Sequence, residues 1–232
     1  MQIRVIIRGR NCERYIEKCL MSLQKQSYKH WSVHIVLDNP QDGSVYKIHM
    51  EGPYSLTVNT KRMGLAHNIY RFPMDHPFKD EDVLAWLDAD DWLDPAALDI
   101  VARAYQNPDI WLTYGSYIKV SKGRKTKISQ PYPGKADVRS HPWRGSHLKT
   151  MKYKLFRQIP EDCFKHKGEW LQAASDLALM IPAIELAGLD RTKHIPEALY
   201  YWRDNTPFKT KGTLQKECEK IVRAKPKLER IP

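Results

Sequence analysis

The sequence predicts an α/β chain: a mostly parallel sheet flanked by helices on both faces, in a single domain. Three observations carry that expectation. Short β-branched runs alternate with stretches of helical apolar spacing over residues 1–105. Asp38, Asn59 and Asp88 each stand at the carboxyl end of one such run, where open α/β sheets bind their ligands. The 232 residues are 42% hydrophobic, with seven Trp and twelve Tyr, which is enough apolar mass for one core and excludes a low-complexity chain.

Ile3, Val5, Ile6 and Ile7 form a continuous apolar run that reads as a buried strand, followed by the loop Arg8-Gly9-Arg10-Asn11. Tyr15, Ile16, Cys19, Leu20 and Leu23 recur at helical spacing, so residues 13–26 read as an amphipathic helix. Residues 31–37 are the second strand, and Asp38-Asn39-Pro40-Gln41-Asp42-Gly43 is its turn. Residues 55–58 are the third strand, and 64–72 a short helix that Pro73 should stop. The fourth strand, 82–87, runs straight into Asp88-Ala89-Asp90-Asp91. Asp94 is placed to cap a helix that opens at Pro95 and reaches about Tyr105. Residues 111–120 read as a strand, after which the chain is irregular and basic as far as His147. Residues 171–187 carry a broad apolar helical face, with Pro182 predicting a kink and Gly188 a C-terminal cap. A last strand at 198–202 and a basic helix from Lys211 complete the pattern.

No apolar run approaches the roughly 18 to 20 residues of a membrane span, and the first seven residues turn polar too quickly for a secretory signal. Cys12, Cys19, Cys163 and Cys218 form no CxxC pair, which suits reduced thiols in a cytoplasmic setting. The formal net charge of +11 is unevenly spread. Residues 119–157 hold twelve basic residues against the single acid Asp137, and residues 207–232 hold eight against three. Tyr117, Tyr132, Trp143, Tyr153 and Phe156 are interleaved with or border the first stretch. Basic groups neutralise phosphates and rings stack on bases or sugars, so a polyanionic partner is as natural a reading as a solvated basic face.

Asp88, Asp90 and Asp91 crowd three carboxylates into four residues just past an apolar strand. One acid suffices to cap the next helix, and Asp94 can do that. The others repel one another unless a cation lies among them, and Mn²⁺ or Mg²⁺ commonly bridges such carboxylates to a diphosphate. Four further stretches stand in fixed order around this one. They are Val5-Ile6-Ile7 with Asn11, Tyr15, Cys19-Leu20, Ser22-Leu23 and Gln26-Ser27-Tyr28; Ile35 to Asn39 with Asp42-Gly43-Ser44; Asn59, Arg62, Gly64, Ala66 and Asn68; and Ser175-Asp176-Leu177. In this order and spacing the chain resembles the inverting family 2 glycosyltransferases of GT-A fold over about residues 3–205. It departs from them in having Arg8 where Pro is usual, Asn39 as the second member of an acidic pair, and Ser175 in place of the Glu before the base.

The resemblance implies one glycosyltransferase domain at 1–205, with a nucleotide-sugar half (1–118) and an acceptor half (119–205), and a basic tail at 206–232. It implies a nucleotide diphosphate sugar as donor, a UDP-sugar first, with Mn²⁺ or Mg²⁺ as cofactor. Asp38, Asn39, Asn59, Arg62, Asp88 and Lys211 would face the donor, Asp90 and Asp88 the metal, and Asp176 would be the base. Each has a plainer alternative: a turn for Asp38, solvated charges for Arg62 and Lys211, and a helix cap for Ser175 or Asp176. Trp92 reads as packing beneath the acidic loop, and His194 as structural or as a further metal ligand. Trp143, Arg144 and Tyr153 are the expected acceptor contacts. The acceptor is a glycan hydroxyl or a hydroxymethylated pyrimidine flipped out of DNA, the latter fitting a phage or viral chain in its host's cytoplasm. The other class considered is a non-catalytic nucleic-acid-binding module on the same scaffold, against which the acidic triplet and Asp176 speak.

Overall fold

In the computed structural model of the chain, residues 1–121, 123–204 and 212–232 are described. Strands whose two faces are both apolar must be covered on both sides. β1 (Ile3–Gly9), β2 (Trp31–Asp38) and β4 (Val83–Asp88) meet that requirement, and with the more exposed edge strand β3 (Tyr54–Asn59) they lie parallel in the order β3-β2-β1-β4. Side chains alternate across the sheet. Ile3, Val5 and Ile7 therefore enter one core with helices α1 (Ile16–Gln24) and α3 (Ala97–Ala104), through Leu20, Leu23, Leu98 and Val101. Ile6, Leu84 and Trp86 enter the other with α2 (Leu65–Asp75) and α5 (Ser175–Ala187), through Ile69, Phe72, Leu179 and Ile184.

The sheet continues beyond β4 through β8 (Lys149–Lys152), β6 (Leu112–Ser121), β11 (Thr192–Arg203) and β5 (Trp92–Leu93), and β7 (Gly123–Lys127) pairs with β6. A separate hairpin joins β9 (Lys165–His166) to β10 (Glu169–Trp170), and α4 (Tyr153–Phe156) follows β8. β8 runs antiparallel to both β4 and β6, so β6 and β11 point the same way as β1 to β4. The carboxyl ends of β1, β2, β4 and β11 consequently gather along one edge.

Several elements differ from expectation, each for a physical reason. β8 lies just past the segment read as irregular, among residues 148–170 for which the sequence suggested no element, because Lys-Thr-Met-Lys does not look like a central strand. Yet both lysines are buried, and Lys152 Nζ is satisfied by Glu81 at 2.8 Å and the Pro108 carbonyl at 2.9 Å. Pro73 does not stop α2, which runs on to Asp75 with the His76 N–H bonded to Phe72. Pro182 lies inside α5, and Gly188, at φ +85°, closes that helix as expected. β11 begins at Thr192, well before the predicted start. The basic tail is packed rather than appended: α6 (Gly212–Ala224) buries Cys218 and Val222 in the α5-side core. No described helix is long and apolar enough to cross a membrane.

His34, on β2, is hydrogen-bonded to Ser55 Oγ at 2.9 Å, and burial, then the Arg4 charge, pushes its pKa down to about 4. A histidine depressed in the fold gives stability that is present above its unfolded value near 6.5 and lost as pH falls toward about 4. The ring is partly exposed, so solvent screening reduces the effect to about 1 kcal/mol. In His34→Asn, urea melts at pH 7 and 5 should show a correspondingly smaller acid loss than in the parent.

Candidate active site

Loops at the carboxyl edge are tied to one another by buried carboxylates and amides. Asp38 ends β2 and is buried, accepting the N–H groups of Met63 (2.8 Å) and Gly64 (2.9 Å) and Asn59 Nδ2 (3.1 Å). Burial alone would raise its pKa, but these bonds outweigh it and hold the carboxyl below its ordinary range. Asn59 also donates to Asn68 Oδ1 at 2.9 Å, and Gly64, at φ +89°, supplies a turn that a side chain would strain. Asp38 and Asn59 are thus brought together as the network that shapes the loop carrying the exposed Arg62. Asn39 takes a left-handed backbone at φ +51°, and its Oδ1 accepts from Gln41.

The acidic loop divides its three carboxylates among different tasks. Asp91 is buried, with Oδ2 accepting the Tyr200 hydroxyl (2.6 Å) and Oδ1 the Arg203 N–H (2.7 Å). Burial, then the charges of Asp90 and Asp88, pushes its pKa up to about 8. Asp88 is one-third exposed and accepts Arg8 Nη2 at 2.5 Å. Asp90 is half-buried, and its carbonyl accepts Arg203 Nε at 3.0 Å. Trp92 packs beneath the loop as expected, stacked on Tyr201 at 5.3 Å with Lys18 Nζ 3.3 Å from its ring centroid.

On the same edge of the sheet, α5 opens at Ser175-Asp176 without a side-chain cap. Its N-cap residue is Ala174, held left-handed at φ +56°, so neither Ser175 nor Asp176 caps the helix. A non-glycine residue there costs about 1 kcal/mol. Gln215 of α6 steadies the turn by accepting the Ala174 N–H at 3.1 Å. Between α5 and the acidic loop lies buried Lys149, whose Nζ is 3.2 Å from His147 Nδ1. Burial lowers the Lys149 pKa, while the charges of Asp176, Asp88 and Asp91 oppose that shift. His147 stacks on Tyr200 at 4.3 Å, and desolvation, then Lys149 and Arg8, holds its imidazole well below the ordinary range.

Other expected residues are distributed less favourably. Tyr153 is buried at the opposite end of β4, its N–H bonded to the Asp82 carbonyl at 2.8 Å and its ring edge-on to Phe78. It lies a strand's length from Asp88, so the structure does not bring it to the site. Trp143 and Arg144 lie in the loop that enters β8 at its cleft end, with the Arg144 guanidinium on the Pro131 carbonyl. His194 bonds Ser129 Oγ at 2.9 Å early in β11, away from the acidic loop at that strand's far end. Lys211 lies outside the described residues. The basic stretch is not one continuous face: Lys154 pairs with Glu81, Arg157 with Asp80, and Arg139 is buried against Glu185.

No group of three or more His, Cys, Asp or Glu side chains able to hold a metal ion forms among the described residues. A protein-only cage is therefore not what Mn²⁺ or Mg²⁺ would find here. Such ions usually take one or two carboxylates and complete their shell with water and substrate phosphates. Asp90 fits that kind of incomplete donor set, whereas the expected second ligand, Asp88, is held in an ion pair by Arg8.

Sequence reasoning met Arg8 only as a departure from the family pattern and gave no site role to His147, Lys149, Tyr200, Arg203 or Gln215. The available signals were faint: a lysine opening a short run and an arginine closing the last strand.

Among solved structures, residues of this chain superpose on S. aureus TarS 1–349 in complex with UDP with a TM-score of 0.64 at 18% identity, covering 88% of this chain and 60% of that one. TarS in complex with UDP-GlcNAc gives 0.64 at 16% identity, covering 89% and 59%. The mannosyltransferase PcManGT from Pyrobaculum calidifontis, in complex with GDP-Man and Mn²⁺, gives 0.62 at 17% identity, covering 89% and 57%. At these identities the likeness establishes a shared fold, and the chain spans 60% or less of the length of each. No curated protein sequence matches it. The profile of Glycosyl transferase family 2 matches residues 4–165, the span that contains β1 to β4, the Asp38 network and the acidic loop. With that match over more than half its length, the chain belongs to glycosyl transferase family 2.

Proposed function

We propose that this chain is an inverting glycosyltransferase that moves a sugar from a nucleotide diphosphate sugar, a UDP-sugar first, to an acceptor hydroxyl. The observation that carries the proposal is the convergence of Asp88, Asp91 and Asp176 around one buried ammonium, Lys149, at the carboxyl edge of the sheet, with Asp90 in the same acidic loop. The Asp38–Asn59 network shapes the nucleotide side of the cleft, with Arg62 at its rim. A divalent ion held by Asp90 would offset charge on the departing diphosphate.

Asp176 accepts the proton of the attacking hydroxyl. The acceptor oxygen bonds to the anomeric carbon as the bond to the diphosphate oxygen breaks, and the electron pair leaves with the diphosphate. A single displacement inverts the carbon. Lys149 sets a buried positive charge near that carboxyl. Because the basic residues of 139–157 are largely buried or ion-paired, a glycan-type hydroxyl is favoured over a DNA base as acceptor.

Release of UDP from a panel of UDP-sugars, measured with Mn²⁺ present, tests the reading. The parent should turn over one donor, and Asp90→Ala should lose about 100-fold or more while keeping its fold. Binding of nucleotide with no turnover would instead indicate a non-catalytic module.

A further inference from the structure

Two buried arginines in this chain are treated very differently. Arg139 uses all three guanidinium nitrogens: Nε and Nη2 meet the two oxygens of Glu185 at 2.6 and 2.7 Å, and Nη1 meets the Val222 carbonyl at 2.7 Å. That is a saturated structural pair. Arg8 is as deeply buried, at 9% exposure, but only its Nη2 has a partner, Asp88 Oδ1; Nε and Nη1 have none. Buried polar groups are nearly always satisfied, and a buried guanidinium with one bond is costly to keep. A purely structural role gives no reason for that cost.

Its position gives one. Arg8 and Asp88 are direct neighbours across the parallel β1–β4 pair, at the carboxyl edge, on the face that also carries α5 and Asp176. Resting on the donor reading above, we propose that Arg8 is a resident cation of the donor site. As a positioning residue it holds Asp88 in an ion pair and withdraws that carboxylate from the ligands of a bound divalent ion. The consequence is weaker metal binding, and nucleoside diphosphate binding that relies less on metal, than an unpaired Asp88 would give.

Mn²⁺ titrations without nucleotide, on the full chain and its Arg8→Met variant, test this directly. Arg8→Met should bind Mn²⁺ at least about tenfold more tightly, and adding Asp88→Asn should abolish the gain, because Asp88 is its source. Arg8→Lys, which keeps the charge, should restore the parent's affinity within about threefold. Arg8→Gln guards against a folding failure of the methionine variant and should shift the same way as Arg8→Met. In parallel, replacing Mn²⁺ by EDTA should weaken UDP binding to the parent less than about threefold and to Arg8→Met more than tenfold. Equal Mn²⁺ affinity in parent and Arg8→Met, no Mn²⁺ binding by either, or a gain that survives Asp88→Asn, would overturn the assignment. A gain in Mn²⁺ affinity with no UDP binding by any variant would keep Arg8's role and count against the donor reading instead.

Discussion

Asp176→Asn is expected to slow sugar transfer by about 1,000-fold while leaving donor affinity within a factor of about three. The amide preserves shape and hydrogen-bonding reach but cannot accept the acceptor's proton, and positioned general bases contribute typically 100- to 10,000-fold. Because Asp176 does not cap α5, its substitution should not destabilise that helix as the loss of a cap would. The plainer alternative predicts the reverse pattern, a fall in thermal stability with little change in rate. Steady-state rates, donor titration and a melting curve on the same preparation separate the two. A rate within tenfold of the parent would remove Asp176 from the chemistry.

Arg139→Met should be the most destabilising single change among residues 119–205. It leaves Glu185, whose side chain is 1% exposed, as an uncompensated buried charge. Breaking one side of such a pair costs about 3–5 kcal/mol, which for a domain of this size lowers Tm by roughly 10 °C. The damage should spread to α6, since Arg139 also holds the Val222 carbonyl and Arg223 holds the Arg139 and His141 carbonyls. Arg139→Met with Glu185→Leu should recover much of the loss, because it removes both charges together. If the double variant is no more stable than the single, the pair is not what holds this region.

The left half of the sheet was readable because its strands are apolar on both faces, as in β1 and β4, and each ends in a polar turn. The acidic loop was legible for the same reason: three carboxylates after a buried strand have few structural uses. β8 was not legible, because Lys149 and Lys152 look like surface residues and only Glu81, Pro108 and His147, distant or unremarkable in sequence, make their burial tolerable. Tyr153 misled for a related reason: an aromatic among lysines suggests a nucleic-acid face, but the sheet direction carries it to the amino end. Arg203 acts on the site through the Asp90 carbonyl and by donating its own N–H to the Asp91 carboxylate, and Gln215 through the Ala174 N–H, main-chain contacts that leave no pattern in the sequence.

A crystal soaked with UDP and Mn²⁺ bears most directly on the whole account. An anomalous peak beside the Asp90 carboxylate, with the diphosphate completing its shell and the uridine over the Asp38–Asn59 loop, is the result expected. Nucleotide bound elsewhere, or a Mn²⁺ ion seated away from Asp90, would contradict it.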